Sequence, residues 1–266
     1  MPELPEVETI KRDLEKTILG KKIVEVCVHN AKVIREPSPV AFKNLLKGKA
    51  IKSIFRKAKL LIFELSNQLF LTIHLKMTGQ LVYPGGSQRS RVAFNLSNGK
   101  TLDFNDDRLF GELRLVSDWK KMKFVQGLGP EPFDLAYADF KDMLSRRKTE
   151  IKPLLLDQKF ISGIGNIYAA EILFRSKIHP KRSAQSLTVQ EKGILFKEMK
   201  SVLTSAIKHG GSSVDDYVRV SGENGDYSRF HRVYGRIDKP CFVCQGKIKK
   251  IVQGGRGTYF CSKCQR

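Results

Sequence analysis

Apolar positions at the start of the chain recur at helical spacing. Leu4, Val7, Ile10, Leu14 and Ile18 fall on one face, Pro5 stands where a first helical turn tolerates proline, and Glu6 complements the positive helix end. This pattern predicts a helix over 3–18. The spacing then changes to short apolar, β-branched or alternating runs near 22–28, 50–56, 60–65, 69–76, 91–96, 101–105 and 112–116, broken by Gly, Asn, Pro or Ser. Ser97-Asn98-Gly99 is a hairpin signal between two of these runs, and 40–47 reads as a short helix. Together they predict an α+β chain whose first part is a β-sandwich flanked by helices.

Gly127-Leu128-Gly129-Pro130-Glu131-Pro132 reads as a linker. Beyond it the period is helical again. Tyr137, Phe140, Met143 and Leu144 mark one helix and residues 166–176 another. A third starts near Thr188, where Thr188-x-x-Glu191 resembles a capping box, and carries Ile194, Leu195, Met199, Val202 and Leu203. A further short helix is expected over 212–219.

Charge narrows the classes of function. Lys and Arg number 48 against 27 Asp and Glu, a formal +21. No apolar run approaches the ~18 residues of a spanning helix, and Lys11, Arg12 and Asp13 interrupt what a signal peptide would keep apolar. A membrane protein or an exported one is therefore not expected, and the chain is placed in the cytoplasm. Such an excess favours a polyanionic partner, nucleic acid first, although a generally basic surface would give the same count.

Four of the five cysteines form Cys241-x2-Cys244-x16-Cys261-x2-Cys264. Each pair can grip one metal from a turn, and two pairs complete a tetrahedral S4 site for a single Zn2+, structural because four thiolates leave no open position. Cys27, in a strand-like run, reads as a small buried hydrophobe.

Two stretches carry candidate chemistry. Once Met1 is trimmed, Pro2 presents a secondary amine; an α-amino group titrates at roughly 7.7–8.0, so a useful fraction is neutral near pH 7. Such an amine can attack an electrophilic sugar carbon to give an iminium, and Glu3 beside it is a carboxylate suited to proton transfer. A capped helix with a disordered end would show the same residues. Ser162-Gly163-Ile164-Gly165-Asn166 runs into a helix start, which suits a phosphate clamp, or simply a turn.

These pieces resemble the formamidopyrimidine-DNA glycosylases, of the helix–two-turn–helix DNA repair group. The resemblance covers essentially the whole chain: Pro2 to Glu8, His74-Leu75-Lys76-Met77-Thr78-Gly79, Leu128 to Pro132, Gly163-Ile164-Gly165-Asn166-Ile167-Tyr168, Val233-Tyr234-Gly235-Arg236 and the zinc finger. It implies an N-terminal catalytic β-sandwich domain over 1–128, a linker over 129–134, a helical DNA-binding domain over 135–237 and a zinc finger over 238–266. It also implies a monomer acting on double-stranded DNA that carries damaged bases or abasic sites. The activity implied is excision of oxidised purines such as 8-oxoguanine and formamidopyrimidines, followed by β,δ-elimination through a Pro2 Schiff base.

The resemblance further implies Pro2, Glu3 and Lys59 as catalytic residues, Lys59 on a strand after the first helix, and Glu6 as their support. Alone, Lys59 would read as a solvated strand lysine. Extruding a base leaves a hole in the stack, which the resemblance assigns to Met77, Arg108 and Phe110; Met77 and Phe110 alone would more often be core, but Gly79 and Gly111 nearby suggest loop tips. Arg89, Arg91, Lys152, Asn166, Tyr234 and Arg256 are implied as DNA contacts, Arg256 delivered by the zinc-fixed hairpin. Arg89 stands where the family commonly has histidine, and Asp107 and Leu109 where proline and a basic residue are frequent. The segment from Val218 to Arg232 corresponds to the loop that closes over the extruded base. Two other readings remain open: a relative of the endonuclease VIII type that prefers oxidised pyrimidines, against which Leu4 and Arg108-x-Phe110 argue, and a zinc-finger DNA-binding protein without catalysis.

Overall fold

A computed structural model describes residues 1–66 and 68–266. The chain folds as two compact units, Met1–Gln126 with Ile207–Ser228, and Gly127–Ala206 with Arg229–Arg266.

The first unit begins with α1 (Leu4–Ile18), whose Leu4, Val7, Ile10, Leu14 and Ile18 are all buried as the periodicity predicts. Strands β1 (Ile23–Val28), β6 (Gln80–Val82), β7 (Ser90–Leu96) and β8 (Thr101–Asn105) form one sheet in the order β1-β7-β8-β6. A second sheet has the order β2-β9-β5-β4-β3, built from β2 (Ile34–Glu36), β3 (Ile51–Lys57), β4 (Leu60–Leu65), β5 (Phe70–His74) and β9 (Glu112–Val116). Val26, Phe94 and Phe104 of the first sheet share one core with Ile54, Phe63 and Ile73 of the second and with α1. The two short strands β2 and β6, three residues each, carry too little alternation to be read from sequence.

The second sheet is also covered on its other side. Leu60, Ile62 and Val125 are buried there with Phe55, Phe70, Trp119 and Met122, beneath a short helix, α3 (Lys123–Gln126). That is why β4 reads as a nearly unbroken apolar run, Leu60-Leu61-Ile62-Phe63. Helix α2 (Pro39–Leu46) is capped by Ser38 and buries Phe42 and Leu46.

The expected helix over 212–219 does not form. Gly210 and Gly211 adopt φ of 73° and 81°, which ends α7 (Val189–Lys208) and turns the chain. The residues that follow then bond elsewhere: the Ser212 N–H donates to Glu6 at 2.8 Å, Ser213 Oγ donates to the Tyr217 carbonyl at 2.8 Å, and Tyr83 N–H donates to Val220 O at 2.7 Å. Tertiary partners thus replace the helical ladder. Arg219 adds a two-pronged ion pair to Asp13 of α1, at 3.1 and 2.8 Å.

The second unit contains α4 (Tyr137–Ser145), α5 (Ile151–Leu156), α6 (Asn166–Arg175), most of α7, and the hairpin β10 (Lys249–Gln253) and β11 (Arg256–Phe260). The box read at Thr188 is present: Thr188 N–H donates to Glu191 at 2.8 Å and Glu191 N–H to Thr188 Oγ1 at 3.2 Å. Among the described residues, no helix is long and apolar enough to cross a membrane.

Candidate functional site

Pro2 and Glu3 are both buried at the head of α1, and the bonds that hold them follow from the local sequence. Glu3 and Glu6 form a capping box: Glu3 N–H donates to Glu6 Oε2 at 2.8 Å while the Glu3 side chain accepts from the Glu6 backbone. The second oxygen of Glu6 accepts from Ser212. Glu6 therefore joins the start of α1 to the segment at Gly211, where an added Cβ would lie 2.9 Å from Glu6 Oε1. Nothing local in the sequence pairs residues 206 positions apart, so Ser212 and Gly211 escaped the reading.

Lys59 lies in the turn between β3 and β4 rather than on a strand, and is 7 % exposed rather than solvated. Ala58 beside it takes a left-handed φ of 52°, so the chain reverses within two residues between Lys57 and Leu60. Arg56 braces this turn, donating to the Ala58 carbonyl at 2.8 Å and to Glu8 of α1 at 3.0 Å. Burial pulls the Glu8 carboxyl upward, and Arg12 and Arg56 outweigh it, leaving the group below the ordinary carboxylate range. The Glu8–Arg56 pair thus brings the Lys59 turn to the N-terminal half of α1.

Met77 and Phe110 are 40 % and 48 % exposed, so both are loop tips rather than core. The Arg108 guanidinium stacks 4.7 Å from the centre of the Phe110 ring. Two of the three unusual residues, Arg89 and Asp107, bond to each other, and Arg91 approaches Asp107 at 3.6 Å. The acidic Asp107, in the loop of Arg108 and Phe110, is therefore matched by Arg89 and Arg91.

At the other unit, Lys152 is 1 % exposed and is not a surface cation. Its ammonium donates to Asn166 Oδ1 at 2.6 Å, Thr258 Oγ1 at 2.7 Å and Gly257 O at 3.4 Å, while Asn166 Nδ2 donates to the Gly257 carbonyl at 3.0 Å. Asn166 is the first residue of α6, so Lys152 knots that helix start to strand β11. Exposed Arg256 opens β11 after the Gly254-Gly255 turn. Glu171 was not singled out by any motif, yet it is fully buried and accepts three N–H groups, from Arg232, Val233 and Tyr234, at 2.8–2.9 Å. Burial pushes its carboxyl up, against the pull of those three donors. The anion nest fixes the backbone of Tyr234, whose ring meets Tyr259 edge-on at 5.1 Å.

The four finger cysteines converge, all ligand atoms lying within 4.8 Å of one another. The Sγ separations of 3.8 Å for Cys241–Cys264 and 3.4 Å for Cys244–Cys261 are close to the ~3.8 Å that Zn–S bonds of about 2.3 Å require in a tetrahedron. Thiolate donors in this arrangement fit one structural Zn2+.

Models of three domains match in chain order: the formamidopyrimidine-DNA glycosylase N-terminal domain over 1–113, the formamidopyrimidine-DNA glycosylase H2TH domain over 128–218, and the zinc finger found in FPG and IleRS over 238–266. The chain belongs to the formamidopyrimidine-DNA glycosylase family. Similar proteins carrying that name occur in Pelotomaculum thermopropionicum, 43 % identical over 100 % of this chain and 99 % of the relative, and in the Wolbachia of Brugia malayi, 41 % identical over the full length of both. Among solved structures, the MutM (FPG) protein of Thermus thermophilus superposes with a TM-score of 0.90 at 37 % identity, over 99 % of this chain and 98 % of that one. A Lactococcus lactis FPG mutant in complex with a Fapy-dG-containing DNA gives 0.92 at 33 % identity over the full length of both. The glycosylase fold anticipated from sequence, with its β-sandwich, H2TH helices and zinc finger, is the fold found.

Proposed function

We propose that this formamidopyrimidine-DNA glycosylase is bifunctional, excising oxidised purines such as 8-oxoguanine and formamidopyrimidines from double-stranded DNA and then nicking the strand at the abasic site. The observation that carries this reading is the buried Pro2-Glu3 pair at the head of α1, locked by Glu6 and accompanied by a buried Lys59. A binding module needs none of these.

Removal of Met1 frees the Pro2 nitrogen, since an amide nitrogen is not nucleophilic. That nitrogen attacks C1′ of the damaged nucleotide; the C1′–N bond breaks, the base leaves with a proton, and the sugar ring opens as the iminium forms. Glu3 supplies the proton to the ring oxygen and later removes protons during elimination, first of the 3′ phosphate and then of the 5′ phosphate. Lys59 acts beside them, and Glu6 holds Glu3 in place.

Met77, Arg108 and Phe110 fill the vacated stack, the aromatic wedging a base step and the guanidinium bonding the orphaned base. Arg89, Arg91, Asn166, Tyr234 and Arg256 grip the backbone, and Lys152 serves indirectly by holding Asn166 and β11. The functional division 1–128, 129–134, 135–237 and 238–266 follows, with action as a monomer on cytoplasmic DNA.

Borohydride trapping on a duplex containing 8-oxoguanine opposite cytosine, alongside an oxidised-pyrimidine duplex and an abasic duplex, tests the reading. An adduct mapped by mass to the N-terminal peptide at Pro2, strongest with 8-oxoguanine, is expected. Trapping on the pyrimidine lesion alone would transfer the chain to the endonuclease VIII type of specificity, and no trapping at the abasic site would remove the lyase.

A further inference from the structure

We propose that Asp106 is a positioning residue that locks the loop carrying Met77 to the loop carrying Arg108 and Phe110, so that the three side chains enter the duplex as one rigid wedge. The proposal rests on the reading above that these three fill the vacated stack.

Asp106 follows the last residue of β8 and is fully buried. A buried carboxylate is costly unless a cation or a full set of donors satisfies it. Among the described residues no cation forms an ion pair with this carboxylate, although the Arg91 guanidinium donates to the Asp106 backbone carbonyl at 3.0 Å. Its partners instead come from two loops: Oδ1 accepts from the Thr78 hydroxyl and from the Arg108 N–H at 3.2 Å, and Oδ2 accepts from the Gly111 N–H at 2.6 Å. Thr78 closes the triangle, because its hydroxyl oxygen also accepts from Arg108 N–H at 3.2 Å. The neighbour of Met77 is thereby bonded to the backbone of Arg108.

Both loops are also held in conformations they would not choose alone. Lys76, before Met77, has φ of 54°, and Leu109, between Arg108 and Phe110, has φ of 58°. Left-handed backbone at two non-glycine residues persists only where the surroundings over-determine it. The glycines bounding the loops permit the close approach. A Cβ on Gly79 would meet the Leu75 carbonyl at 2.5 Å, and one on Gly111 would meet the Phe104 ring at 2.5 Å and Asp106 Oδ2 at 2.9 Å.

What the clamp achieves is presentation. Exposed Met77 and Phe110 gain by folding back onto apolar surface, and a wedge that does so must be re-extended at every encounter with DNA. Three hydrogen bonds to one carboxylate, with a fourth from Arg108 N–H to the Thr78 hydroxyl, keep the tips out instead. This role predicts a selective defect: forcing a stacked base out needs the wedge, whereas a site already lacking its base has far less to displace.

The experiment uses the full-length, zinc-loaded protein and its Asp106→Asn, Thr78→Val, Thr78→Ser and Met77→Ala variants, each shown by thermal unfolding to be folded at the assay temperature. Single-turnover excision of 8-oxoguanine is compared with nicking of a preformed abasic site, with 2-aminopurine opposite the lesion reporting unstacking of the orphaned base. Expected for Asp106→Asn and Thr78→Val is a loss of roughly tenfold or more in excision and a loss of the fluorescence rise, with nicking held within about threefold. Thr78→Ser, which keeps the hydroxyl, should restore excision. Should Asp106→Asn not fold, Thr78→Val and Thr78→Ser carry the test by themselves. A proportional loss in both reactions, or no loss where Met77→Ala shows the selective defect, would overturn the clamp. If Met77→Ala itself shows no selective defect, the wedge reading fails and the clamp with it.

Discussion

His74 shows how one residue carries both local structure and a measurable signature. It ends β5, immediately before the loop that bears Met77, and its Nδ1 accepts the Lys76 N–H at 3.1 Å. Burial, with help from the Lys76 and Lys59 charges, lowers its pKa from 6.5 to about 3, so the ring stays neutral as an acceptor must. The unfolded chain takes up a proton below about 6.5 that the folded one refuses until about 3. Stability should therefore fall as pH drops through that window and level off beneath it. Denaturation midpoints followed from pH 7 to pH 3 should show His74→Gln losing about 1–3 kcal/mol less than the parent, after discounting for the part-exposed ring edge. Parallel curves would place the titration elsewhere.

Lys152 makes a second residue-scale case, because its surroundings bear on the DNA contact that the resemblance implied. Three acceptors surround its buried ammonium. Lys152→Met should lower thermal stability by about 2–4 kcal/mol, since Asn166 and Thr258 lose a charged donor. The slope of log affinity against log salt should hardly change. A slope reduced by about one, with stability intact, would instead make Lys152 a direct phosphate contact.

At the scale of elements, the finger hairpin depends on its metal. Strands of five residues each bury little, and Cys261 and Cys264, beyond β11, converge with Cys241 and Cys244 on the site that one Zn2+ would fill. Cys241→Ser should release zinc and unfold 238–266 while the helix α7 persists, visible as loss of amide protection confined to the finger. Duplex affinity should fall with it through Arg256. Unchanged affinity after verified zinc loss would sink that link.

The elements also show where periodicity suffices and where it does not. Seven strand runs and helix α1 were placed within a residue or two, because each buries one face over four or more residues and so prints its own period. The 212–219 segment was misread because Tyr217, like Val220 just beyond it, is buried in the core formed by α1 and the two sheets, and Ser212 bonds to Glu6. Burial and the nearby Glu6 charge raise the Tyr217 pKa well above the ordinary value, so it remains a donor throughout the working range.

For the whole molecule the dominant property is charge. A +21 chain that neutralises many phosphates must release their counterions, so affinity for a damaged duplex should fall by roughly a thousandfold or more between 50 and 200 mM salt. Filter binding or fluorescence anisotropy across that range measures it. A flat dependence would mean that the basic residues serve the surface generally rather than the DNA.

The groups that are adjacent in the chain are legible in the sequence alone. The proposed amine and carboxylate are neighbours at Pro2 and Glu3, each cysteine pair spans four residues, and Asn166 follows its glycines directly. Tertiary structure alone decided which distant groups secure them: Ser212 on Glu6, Arg56 between Glu8 and the Lys59 turn, Glu171 beneath Tyr234, and Asp106 between two wedge loops. The physical reason is that a buried carboxylate must be satisfied, but for Glu6 and Glu171 a backbone N–H suffices, so the partner leaves no mark in its side chain, while the Arg56 and Thr78 side chains meet Glu8 and Asp106 only through the fold.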